Sequence, residues 1–305
     1  MPTTSNLSLP ASSCTAPSAR STAGIGALIR HEWRLNGRNV WILIAAQAAI
    51  ILMHLILAQL PLSWSTGIAF YIIAIMHVFG IVASLAIIAV VAAILLISYY
   101  QSMHGQYAAF TVAVPVRTGT HLLIKTLWAY VAFVVSAAMG VLGLLVGTTE
   151  LSGRLQFGAQ GMDWPSSWEF LRSAIEANLV LIILCIIGVA LVLMLLVCEG
   201  VFIVTVGSSA KFSRHGFAVG VLLAIVTTWL IRNGFMAFGL LAVPFGVKFT
   251  YTSPSATPEA SFTMFNLGTA SFENVLPLGL FAALIVAITF FWGCTYRQLA
   301  KHWSL

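Results

Sequence analysis

Six stretches of the chain are apolar and almost free of charge, at about 40–60, 68–99, 122–147, 177–206, 217–243 and 276–296. Each meets the roughly 20 residues that carry an α-helix across a hydrocarbon core about 30 Å thick. The second and fourth run past 28 residues. At about 1.5 Å per residue they are longer than that core, so they must tilt, kink or project beyond it. Gly80 is the expected place for a bend in the second. The pattern predicts an all-α polytopic membrane protein with six transmembrane helices in one domain, 24–305.

The segments between the spans differ in character. Residues 1–23 are rich in Ser, Thr, Pro and Ala, without an acid or an apolar run. That composition cannot bury a core and is expected to form a disordered tail. It holds no apolar stretch of signal-peptide length, so cleavage as a secretory signal is not expected. In 24–39, Ile25, Leu28, Ile29 and Trp33 fall on one helical face, while Arg30, Arg34 and Arg38 recur every four residues. This predicts an amphipathic helix in the inner interface, its guanidinium groups on lipid phosphates. Arginines that merely fix orientation would not need Trp33.

Further along, Ser166 and Glu169 have capping-box spacing, and Trp164, Trp168, Leu171 and Ile175 make an apolar face; a short helix in the outer interface is expected over 163–176. The stretch 244–275 carries Phe245, Phe249, Tyr251, Phe262, Phe265 and Phe272 around Pro254 and Pro258. It is too aromatic for a plain linker and reads as a re-entrant or interface-hugging segment.

Composition agrees with a membrane setting. Of 305 residues, 60% are hydrophobic and 7% charged, whereas a soluble domain carries roughly 25% charged residues. A soluble enzyme, a disordered chain and a fibrous protein are excluded. The net charge of +6 comes from single basic residues between apolar segments, with no run or stripe that would fit a nucleic acid. Those residues set orientation instead. With the amino terminus inside, Arg20, Arg30, Arg34, Arg38, Arg117, Lys125, Lys211, Arg214, Arg297 and Lys301 lie on the inner side, against Arg154, Arg172 and Lys248 outside. Ten against three places both termini in the cytoplasm.

Two ionisable residues fall inside spans, Glu199 in the fourth and Arg232 in the fifth. Such charges usually face the protein interior or water, at a cost of roughly 2.5–3.5 kcal/mol on insertion scales. They are candidates for the lining of a translocation path. The alternative is an inner water-accessible funnel at Glu199 and an outward-snorkelling Arg232. By rise per residue the two sit at depths about 13 Å apart, which argues against a direct ion pair. His54 and His77 share a similar depth in the first two spans, so a bis-histidine haem between them is possible, a hydrogen-bonded packing pair more ordinary. Cys185, Cys198 and Cys294 lie in apolar stretches and Cys14 in the polar tail, without disulfide or metal spacing. The phosphate-cradling Gly-Lys-Ser/Thr of an ATP site is absent, Lys125-Thr126 following Ile124. No Gly-x-Ser-x-Gly frame supports hydrolysis.

The loop after the second span runs Gly105-Gln-Tyr-Ala-Ala-Phe-Thr-Val-Ala-Val-Pro-Val-Arg117, with Lys125 eight residues further on. Its apolar part is too short to span, and a short apolar segment facing the cytoplasm asks for a partner surface. Together with His-Glu-Trp-Arg before the first span, the six-span plan and the aromatic outer segment, it resembles the permease subunits of the ABC type-2 exporter class. The resemblance implies a transport subunit rather than an enzyme, in the plasma membrane of a bacterium. It implies contact with a separate cytoplasmic ATPase through Glu32, Trp33 and Arg34, and through Tyr107, Phe110, Pro115 and Arg117. ATP and magnesium would sit on that ATPase, with no cofactor on this chain. A second permease copy or a sister permease would complete the membrane unit, and the cargo would be amphipathic, such as a lipid, a drug-like compound or a peptide. The rivals from other classes are a small b-type cytochrome built on His54 and His77, and a six-span scaffold without transport.

Overall fold

The computed structural model describes residues 18–59, 68–105, 117–157, 179–209, 216–250, 259–264 and 275–303. Of the expected tail 1–23, residues 1–17 lie outside these residues, whereas 18–23 are helical and open α1; the segment 163–176 also lies outside them. Helix α1 (Ser18–Glu32) passes through one wide turn (Trp33–Gly37) into α2 (Arg38–Ala58), with helical backbone throughout. There follow α3 (Ile68–Met103), α4 (Thr118–Phe157), α5 (Leu179–Gly207), α6 (Gly216–Trp229), a second wide turn (Leu230–Phe235) and α7 (Met236–Ala242). Three strands come next, β1 (Phe245–Thr250), β2 (Glu259–Met264) and β3 (Val275–Pro277), and then α8 (Leu278–Trp303). Six helical stretches are long and apolar enough to cross a membrane. Every predicted span is present, the third extended to Phe157 because 148–157 contains no proline to stop it.

The spans pack by small residues and buried polar groups, as helices must where lipid is as apolar as the side chains. A core of Val40, Ile44, Val91, Leu95, Leu122, Phe133, Val197 and Val201 joins α2, α3, α4 and α5. A second core of Leu195, Cys198, Leu284, Ala287 and Phe291 joins α5 to α8. At mid-bundle, Gln47 donates to the carbonyl oxygens of Ser136 (3.0 Å) and Ser84 (3.4 Å), and Ser136 donates back to Gln47 Oε1 at 3.2 Å. This clasp binds α2 to both α3 and α4. The helix pair formed by α6 and α7 is the least buried of the six spans.

One expectation changes. Gly80 does not break α3, which is α-helical across it. It makes room instead: a Cβ there would stand 2.7 Å from the ring of His54. The stretch 244–275, read as a re-entrant or interface-hugging segment, is largely strand where it is described. It forms a three-stranded antiparallel sheet in the order β2-β1-β3, with Phe245 opposite Met264 and Gly246 opposite Pro277. Phe245, Val247 and Phe249 alternate with Gly246, Lys248 and Thr250, which is the period of a strand. Pro254 and Pro258 lie outside the described residues.

Candidate functional site

At the end of the bundle from which α2 rises, called here the basic end, a buried polar network ties three elements together. Lys125, about two turns into α4, forms an ion pair with Glu32 at the end of α1. Both side chains are almost wholly buried, 2% and 5% exposed. Lys125 Nζ also donates to Ser102 Oγ at 2.9 Å, near the end of α3, and Ser102 donates in turn to the Tyr99 carbonyl at 3.0 Å. Asn36 Nδ2 donates to the other Glu32 oxygen at 3.1 Å, and Ser98 donates to Asn36 Oδ1. Four-residue spacing explains the convergence: Glu32 with Asn36, and Ser98 with Ser102, each share a helix face. The network holds α1, α3 and α4 at the two points where the chain enters and leaves 106–116.

The residues expected to meet a partner divide around this network. Glu32 is turned inward. Trp33 is half exposed and packs its ring against Trp41 at 5.9 Å and edge-on against Trp128 at 5.2 Å. Arg30, Arg34 and Arg38 are exposed, as is Arg117 where α4 is about to begin. Tyr107, Phe110 and Pro115 lie outside the described residues. His31, beside Glu32, has its pKa lowered by burial and by the charge of Lys125, with Glu32 opposing. In the sequence alone, Lys125 has a place only in orientation and in the resemblance to the permease pattern. Asn36, Ser98 and Ser102 carry no such mark, and the one local signal for them is the pair of serines one turn apart at the end of an apolar span.

Glu199 is 7% exposed on α5. Thr227 Oγ1 of α6 lies 2.5 Å from its Oε1, and Thr228 Oγ1 lies 3.4 Å from the same oxygen. Among the described residues the one ion pair within 4 Å is Glu32–Lys125. The direct Glu199–Arg232 pair that helix spacing argued against is not made. Arg232 sits instead in the wide turn between α6 and α7, exposed on the same face as Thr228, Trp229 and Asn233. Below this region an apolar groove of about 760 Å³ opens between α3 and α6 with α5 as its floor, lined in part by Leu96, Tyr100, Ile203, Gly207, Gly220 and Ala224.

His54 and His77 do meet. Their Nδ1 atoms are 2.8 Å apart and their rings stack at 4.9 Å, 4° from parallel, both fully buried. Gly80 and Gly147 supply the slot for the His54 ring. Two imidazoles on opposite sides of one metal stand about 4 Å apart, twice a metal–nitrogen bond of about 2.0 Å. Rings in direct stacked contact leave no layer for a macrocycle, so these residues do not fit a haem. They fit a hydrogen-bonded packing pair, one ring donating and the other accepting.

The fold and these buried polar groups define a multi-pass helical membrane protein. Comparison with family models, curated proteins and solved structures finds no match to the chain.

Proposed function

We propose that the chain is the membrane-spanning permease subunit of an ATP-driven exporter of the ABC type-2 class, working with a cytoplasmic ATPase and a second permease copy or sister permease. The observation that carries this reading is the Lys125 network. It clamps α1 to the end of α3 and the start of α4, the elements that flank the cytoplasmic loop. A push on the loop or on the Trp33–Arg34 corner would then move three helices as one lever. ATP and magnesium bind the partner; this chain converts closure of the ATPase pair into separation of two six-span bundles in a bacterial cell membrane. The apolar groove floored by α5 suits an amphipathic cargo such as a lipid, a drug-like compound or a peptide.

A mild-detergent pull-down of the tagged full chain, read by mass spectrometry, tests this. The expected result is co-purification of a P-loop ATPase, lost in the Phe110→Asp/Arg117→Asp double variant while the variant still folds. Recovery of the chain without any such ATPase across several detergents overturns the reading and leaves the six-span scaffold.

A further inference from the structure

Arg232 lies in a membrane span without an acid to answer it. It is exposed, on the least buried of the six spans, and among the described residues no carboxylate lies within 4 Å of it. Glu199 of α5 faces inward at 7% exposure and accepts hydrogen bonds from Thr227 and Thr228. Thr228 stands between the two charges: its hydroxyl reaches Glu199, and the residue also lines the recess that holds Arg232. A guanidinium keeps its charge, and within a span it needs acceptors close by.

That recess has a volume of about 560 Å³ and is walled by Ala224, Ile225, Thr228, Trp229, Arg232 and Asn233. Spacing by four puts these residues in two adjacent rows on one face of the helix. Donors converge there. Arg232 offers a planar fork, and Asn233 spends one amide proton on the Trp229 carbonyl, at 3.1 Å, and keeps a second. The recess meets the apolar groove of about 760 Å³ at Ala224, which lines both. Both volumes lie within the roughly 300–1,000 Å³ of small-molecule sites. Among the described residues the groove has no charged side chain in its walls. A cation therefore stands at one end of an apolar trough. α6 starts at the basic end with Gly216, and Arg232 is about 24 Å further along at about 1.5 Å per residue. Gly220, in the groove, lies about 18 Å back from Arg232 by the same rise. A lipid of the leaflet opposite the basic end runs in this direction, its headgroup towards its own surface and its tail towards the bilayer centre.

We infer that this face of α6 binds an acidic phospholipid, its phosphate on Arg232 and Asn233 and one acyl chain laid along α6 into the groove. The arginine fork matches a phosphate bidentately. The recess holds no acid for the ammonium of a zwitterionic headgroup. A second copy of the chain fits less well, because a two-fold contact here sets two arginines in one interface with no acid on the face. The lipid occupies the groove assigned above to cargo, yet the site rests on Arg232 and the groove and not on an ATPase.

Native mass spectrometry of the full-length protein in mild detergent tests this, with phosphatidylglycerol and phosphatidylcholine of equal chain length as probes. The amphipathic α1 is also expected to attract acidic lipid, so the reading is the difference between wild type and variant. Wild type is expected to hold one phosphatidylglycerol, in preference to phosphatidylcholine, that Arg232→Gln binds at least about tenfold more weakly, the loss of one charge-assisted hydrogen bond. Gly220→Leu gives a second readout. A Cβ at Gly220 would meet only Ile203 Cγ2, at 3.9 Å, so a leucine fills the groove without breaking the bundle. It is expected to weaken binding of long-chain phosphatidylglycerol and to spare a short-chain homologue. Displacement of the lipid by inorganic phosphate would reduce the site to a bare anion site and overturn the proposal. Equal lipid binding by wild type and Arg232→Gln overturns it too, as does a lipid-free dimer that is lost in Arg232→Gln. The pull-down reads only the ATPase and this titration only the lipid, so either reading can fail without the other.

Discussion

An ammonium group sealed from water persists only where acceptors surround it, and Lys125 has the Glu32 carboxylate and the Ser102 hydroxyl. Buried pairs of this kind are weak sources of net stability, but breaking one strands the partner's charge at a cost of about 3–5 kcal/mol. Lys125→Met is therefore expected to lower the melting temperature in detergent sharply, because the Glu32 carboxyl is left buried without its partner. The Glu32→Gln/Lys125→Met double variant should recover most of the loss, since neither charge then remains. Thermal unfolding of the three proteins checks this; equal damage from the single and double changes would contradict the pairing. At this scale the sequence is a poor guide. Lys125 stands 93 residues from Glu32, and no local pattern joins them. The stacked pair of His54 and His77 was visible as equal depth in two spans, but whether the rings touched or stood apart depended on Gly80 and Gly147, which remove the side chains that would fill the slot.

Helices in lipid approach as closely as their smallest residues allow. Gly239 in α7 and Gly279 in α8 are the clearest case. A Cβ on either would collide with the carbonyl oxygen of the other, and one on Gly239 would also strike the Ala283 methyl. Gly239→Val and Gly279→Val are each expected to destabilise by about 1–3 kcal/mol through forced separation of the last two spans. Gly293→Ala is the contrast: nothing lies within 4 Å of its Cβ position, and removal of a glycine from the helix interior should stabilise by up to about 1 kcal/mol. Melting temperatures in one detergent decide, and tolerance of valine at both close positions would refute the packing. Element identity was largely legible, because 20 or more apolar residues in lipid have no alternative to helix. The sheet in 245–277 was not. The two-residue alternation of Phe245, Val247 and Phe249 is short, and strand pairing is set by contacts between segments distant in sequence rather than by a local pattern.

For the whole molecule, the ten-to-three distribution of basic residues predicts both termini on the cytoplasmic side. Cys14 is a native reporter of that orientation, since Cys185, Cys198 and Cys294 all lie within spans. A membrane-impermeant maleimide is expected to label Cys14 in inside-out vesicles and not in intact cells; labelling from outside in intact cells would invert the topology. The number of spans and their order follow from the sequence alone, because partition into lipid depends on local hydropathy, which is a one-dimensional quantity. Which buried groups answer one another was decided only in three dimensions. Glu32 found Lys125, Glu199 found Thr227, and His54 found His77 because helix packing, not sequence spacing, sets which polar atoms must share a space from which water is shut out.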